Sequence, residues 1–152
     1  MSPRGGASLI VEVARVPGGR RELARALSRL ATHAAGLAAA EVDFSFAVVD
    51  DEQMRELNNR HLGHDYATDV LSFPMGTEPC LMGEVIISAD TARREAASRG
   101  HSAYHELLLY AVHGVLHLIG YDDHGAPARR RMRTAERAAL AALGAPPVFG
   151  RR

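Results

Sequence analysis

The chain has 152 residues, 18 basic and 18 acidic side chains, and a hydrophobic fraction of 47%. That length suits one domain with its own core, and the ordinary apolar and charged fractions exclude wholesale disorder. A formal net charge of zero argues against a protein that neutralises phosphates over a wide surface, so nucleic acid would be met through a local patch, together with a partner, or not at all.

Cys80 is the sole cysteine, which excludes an intramolecular disulfide. No run approaches the roughly 20 apolar residues of a membrane span. Met1 to Gly6 lacks the long apolar core of a signal peptide. The expectation is a soluble cytoplasmic protein with no membrane partner.

In chain order, Leu9 to Val13 is β-branched and alternating, and is expected to be a strand. After the Pro17-Gly18-Gly19 turn, Leu23, Leu27, Leu30 and Ala31 recur at helical spacing over Arg21 to Ala35, with Gly36 as the expected stop. Asp43 to Val49 alternates and then runs apolar, as a half-buried strand does. Asp50 with Gln53 three residues on has the form of a capping box, opening a short helix whose inward face carries Met54 and Leu57.

From Asn58 to Ala67 the apolar pattern stops, which predicts a polar loop. Val70 to Phe73 is a strand ended by Pro74, and Glu84 to Ile87 is another. Ser88 is placed to cap a helix over Asp90 to Ser98. Tyr104 to Ile119 is apolar on nearly every face and predicts a buried central helix ended by Gly120. Ala128 to Leu143 is the last amphipathic helix. The gap from Phe73 to Glu84 is too short for a helical crossover, so the sheet should be mixed.

The chemistry-bearing segment is His113-Gly-Val-Leu-His117-Leu-Ile-Gly120-Tyr-Asp-Asp-His124. Histidines four apart lie one helical turn above each other and can converge on one ion at Zn–N distances of about 2.0–2.1 Å. A bare pair of this spacing arises readily by chance. Here the pair sits in an apolar helix where unpaired imidazoles are costly to bury, and a glycine turn then carries Asp122, Asp123 and His124 back toward it. Three protein ligands with a fourth position open is the pattern of a catalytic zinc. The zinc peptidases that carry HExxH use a glutamate beside the first histidine as general base; this chain has Gly114 there, which argues against peptide hydrolysis.

This segment resembles the metal motif of the YbeY family, HGxLHLxGYDH; these are bacterial endoribonucleases of ribosomal RNA maturation. Upstream, Leu57-Asn58 and Thr68-Asp-Val-Leu-Ser-Phe-Pro74 resemble the family's LN…TDVLSFP block, and Gly83 to Ile87 resembles its following strand. The resemblance implies a zinc-dependent, single-strand-specific endoribonuclease. It would mature the 3′ end of small-subunit ribosomal RNA, act in ribosome quality control, and partner ribosomal RNA and the small subunit rather than DNA.

The sequence departs from the family pattern at two points. The family's third histidine falls six residues after the second, where this chain has Asp123, with His124 one later; the third ligand is therefore Asp123 or His124, with Asp123 favoured because a carboxylate is a legitimate ligand. The family also has a Tyr-Arg pair where this chain has His61-Leu62, with Arg60 a candidate to replace that catalytic arginine. Arg129, Arg130, Arg131 and Arg133 open the last helix, and Arg130 and Arg131 are candidates for binding phosphates.

Taken together, the expected fold is α+β: one hydrolase domain over 1–152, a small mixed sheet packed against helices, and a zincin-like HxxxH metal helix. Residues 1–6 and 148–152 are expected to be flexible ends. The expected site comprises His113, His117 and Asp123 or His124 around one zinc ion, Arg60 in catalysis, and Arg130 and Arg131 on substrate. Two other functions compete: a non-catalytic zinc-containing ribosome-assembly factor, and a zinc hydrolase of another substrate class.

Overall fold

A computed structural model describes residues 2–64 and 68–148. Four strands and five helices follow one another as β1 (Gly5–Val11), α1 (Arg20–Ala38), β2 (Val42–Val49), α2 (Asp51–Leu62), β3 (Val70–Gly76), β4 (Leu81–Ser88), α3 (Ala89–Arg99), α4 (Ala103–Leu118) and α5 (Ala126–Ala142). The sheet order is β1-β2-β4-β3. β1 and β4 both run parallel to β2, and β3 runs antiparallel to β4, so the sheet is mixed as the short β3–β4 connection requires.

The two faces of the sheet are covered unequally. Phe44, Phe46 and Val48 alternate along β2 onto one face, where with Val85 and Ile87 they meet Leu23, Leu27 and Leu30 of α1 and Leu108, Val112 and Val115 of α4. The other face carries a smaller cluster of Val49, Leu71 and Ile86 under Met54 of α2. α4 is therefore buried between the sheet and the outer helices, and α5 packs against it through Met132, Ala139 and Leu140. The Asp50–Gln53 capping box forms, with Gln53 N–H donating to Asp50 Oδ1 at 2.8 Å and Asp50 N–H to Gln53 Oε1 at 3.0 Å.

Four sequence expectations change. β1 begins at Gly5, where Gly5 and Gly6 pair with Val42 and Asp43, four residues before the expected strand. α1 runs through Gly36 and closes at Ala39, in the left-handed conformation with φ 51°. No proline follows to stop it, and the single helical glycine costs only about 0.5–1 kcal/mol. α2 continues to Leu62 instead of yielding to a loop at Asn58. Asn58 lies one turn beyond Met54 on the inner face, only 1% exposed, so a polar residue holds a buried helical position. The rest of that expected loop includes residues 65–67, outside the described residues. β3 passes Pro74 and ends at Gly76, which an edge strand tolerates because its outer side owes no ladder hydrogen bond. Separately, His101 and Arg99 both face the fully buried Glu106.

Candidate metal centre

Two elements build the site: α4 and the turn that leaves it. Ser102 caps α4 by accepting the His105 N–H at 3.1 Å. The helix lies hard against the sheet at Gly114. A Cβ there would stand 2.7 Å from Val85 Cγ1 and 2.8 Å from Ser72 Oγ, and the Ser72 hydroxyl donates to the Gly114 carbonyl at 3.0 Å. A side chain at this position would have to displace Val85 and Ser72, and the site that would hold a peptidase glutamate faces packed strands.

At its end α4 closes through Tyr121 N–H donating to the Leu116 carbonyl at 3.0 Å and Gly120 N–H to the His117 carbonyl at 3.2 Å. Gly120 takes φ 110°, a region open to glycine, and this reverses the chain. The reversal returns Asp123 to the helix face. His113 Nε2 and His117 Nε2 lie 3.0 Å apart, and Asp123 Oδ2 stands 3.8 Å from the first and 3.9 Å from the second. Ligand atoms around a tetrahedral zinc at about 2.0–2.1 Å are separated by about 3.3–3.4 Å. Two imidazole nitrogens and a carboxylate oxygen at these separations fit such an ion, and this is the one such cluster among the described residues. His124 stands outside it, with its backbone N–H donating to Asp122 Oδ1 at 3.0 Å.

The electrostatics favour a neutral ligand. Burial, and then the proximity of His113, pushes the His117 pKa below its ordinary value, against a weaker opposing pull from Asp123. A group the sequence reading missed completes the site. Glu136 of α5 is 3% exposed and places Oε2 2.7 Å from His113 Nδ1. A carboxylate there selects the Nδ1–H tautomer and turns the Nε2 lone pair toward the cluster. Its signal was an acid within the buried stripe Ala128, Met132, Glu136, Ala139 and Leu140.

The cluster lies between two open depressions. One, of about 420 Å³, is walled by β3 and includes Leu62, Asp69, Ser72, His113 and His117. The other, of about 520 Å³, includes His113, Asp123, Arg129, Arg130, Arg133 and Glu136. Arg130 thus faces the cluster's surroundings, while Arg131 lines neighbouring surface only. Arg60 is not brought there. Its guanidinium meets Glu56 Oε1 at 2.7 Å with the side chain 61% exposed, and it lines neither depression. Residues two apart on a helix point about 200° apart, so with α2 intact Leu62 enters the cleft and Arg60 turns away.

Fold and donor set together define a class: α+β domains presenting two histidines on one helix and a third donor on the turn after it. The family model described as Endoribonuclease YbeY matches residues 18–144. Among curated relatives named Endoribonuclease YbeY, that of Anaeromyxobacter sp. (strain Fw109-5) is 42% identical over 128 residues, covering 82% of this chain and 66% of the relative. The relative from Aquifex aeolicus is 40% identical over 128 residues, with 82% and 84% covered. That from Moorella thermoacetica is 41% identical over 137 residues, with 81% and 88% covered. This chain thus spans about two thirds of the length of the Anaeromyxobacter relative and more of the Aquifex and Moorella ones. The solution structure of a Thermotoga maritima protein shares the fold at TM-score 0.64 and 22% identity, with 89% of each chain covered. The chain belongs to the YbeY family.

Proposed function

We propose that the protein is a zinc-dependent endoribonuclease that cleaves single-stranded RNA, its ion held by His113, His117 and Asp123. The observation that carries this reading is the convergence of those three donor atoms, with Asp123 still 44% exposed at the mouth of the cluster. An ion held there supplies Lewis-acid chemistry, activating water and polarising a phosphoryl oxygen. The chain's own groups do the rest. Glu136 fixes the His113 tautomer, burial keeps His117 neutral, and the guanidinium groups of Arg129, Arg130 and Arg133 line the adjoining depression, where phosphate charge would be met.

The substrate of this reading is ribosomal RNA, including the 3′ end of the small-subunit species, with a role in ribosome quality control in the cytoplasm and contact with the small subunit. Family membership supports it. Glycine at position 114, packed against Val85 and Ser72, stands where the HExxH peptidases carry their glutamate, which disfavours a peptidase. One observation favours a second reading, a non-catalytic zinc-containing assembly factor: Leu62, 51% exposed, occupies the cleft where the family's arginine is expected.

Incubating the purified protein with unstructured RNA and with casein, with and without a chelator, separates these readings. Chelator-sensitive cleavage of RNA alone supports the nuclease. Cleavage of casein supports a peptidase, and cleavage of neither supports the assembly factor.

A further inference from the structure

Beside the metal cluster, on the outer side of α5, runs a groove of about 570 Å³ between α1 and α5. Its size falls within the ~300–1,000 Å³ of small-ligand sites. Its walls are mainly apolar: Leu37 from α1, 46% exposed, Tyr121 from the turn after the metal helix, and Pro127 and Ala138 from α5. Arg130 and Arg131 stand on the same wall, and neither has an ion-pair partner among the described residues. Two uncompensated guanidinium groups beside a mainly apolar slot that holds the Tyr121 and His33 rings match a nucleotide, with its flat apolar base and anionic phosphate. Arg130 also lines the depression that contains His113 and Asp123, so the groove and the metal cluster share a wall.

We propose that this groove is a base-binding subsite for a single-stranded RNA, seating a nucleobase among Leu37, Tyr121 and Pro127 while Arg130 and Arg131 hold the flanking phosphates. The inference rests on the nuclease reading for its substrate. It adds where the strand lies: across α5, passing from the groove over Arg130 to the cluster. Because stacking tolerates any base, the subsite would favour unpaired strands without selecting a sequence.

The test measures binding, not cleavage, using chelator-treated protein with a short oligoadenylate and an abasic ribose-phosphate strand of equal length. Wild type should bind the oligoadenylate about tenfold more tightly than the abasic strand. The double variant Leu37→Ser, Ala138→Gln changes two exposed groove positions on different helices without altering charge. It should bind both strands equally, at the wild-type affinity for the abasic one, and should still take up zinc as wild type does. Arg131→Gln should weaken both strands alike. Equal binding of the two strands by wild type, oligoadenylate binding unchanged in the double variant, or no binding of either strand would each overturn the subsite. Cleavage of RNA with unchanged binding in the double variant would sink the groove and spare the nuclease. Base-dependent binding without cleavage would do the reverse.

Discussion

Glu136 Oε2 lies 2.7 Å from His113 Nδ1, joining the last helix to the metal helix at the nitrogen that faces away from the cluster. Because Glu136 is almost fully buried, the contact both orients the imidazole and ties α5 to α4. Replacing the carboxylate by an isosteric amide keeps the packing and removes the charge that holds the Nδ1–H tautomer. Glu136→Gln should therefore lower zinc affinity by about 10–100-fold while thermal stability of the metal-free protein changes little. Competition with a chromophoric chelator measures it, and unchanged affinity would remove Glu136 from the site.

The third donor gives a rank order. Asp123 meets both histidines within 4 Å, whereas His124 stands outside the cluster. Asp123→Ala should cost more zinc affinity than the 10–100-fold typical of an outer partner, and His124→Ala should cost less than Asp123→Ala. The reverse order would give the role to His124.

Much of this was legible locally. The capping box at Asp50 and Gln53, the pair His113 and His117, and the reversal at Gly120 each depend on residues a few positions apart, which a sequence displays directly. Glu136 was not legible as a partner, because its link to His113 spans 23 residues and two helices. Asn58 concealed the continuation of α2, since a polar residue on an inner face looks like the end of the pattern. That hidden turn of helix is also what parts Arg60 from the cleft.

Gly114 should resist even the smallest side chain. Alanine is intrinsically the better helix former by about 0.8–1.0 kcal/mol, yet its Cβ would press on Val85 and Ser72 within the packed interface. Overpacking of this kind costs about 1–3 kcal/mol. Gly114→Ala should lower the Tm, whereas Gly36→Ala, where an added Cβ meets nothing within 4 Å, should leave it unchanged or raise it. A stabilised Gly114→Ala protein would contradict the close approach of α4 to β3 and β4.

Asp51 links α2 to α3, its carboxylate accepting from Arg94 at 2.6 and 3.2 Å. The Arg94 hydrogen bond is the largest influence holding its pKa below the ordinary carboxylate range. A carboxyl whose pKa is lower folded than unfolded adds stability that is complete above the unfolded value near 3.9 and is lost as pH falls through the folded value. Both side chains are more than a third exposed, so screening keeps the loss below about 1 kcal/mol. Denaturant unfolding of Asp51→Asn and wild type should differ at pH 7 and converge at the acid end of the range. A constant difference at every pH would contradict this linkage.

The central claim is that the cluster of His113, His117 and Asp123 holds the ion by which this protein cuts RNA. The most direct measurement adds zinc stepwise to chelator-stripped protein and follows cleavage of an unstructured RNA at each step. Cleavage should rise from zero and reach its plateau at one zinc per chain, and the His113→Ala, His117→Ala double variant should remain inactive at every zinc concentration. Cleavage by the stripped protein, or full activity in the double variant, would contradict the account.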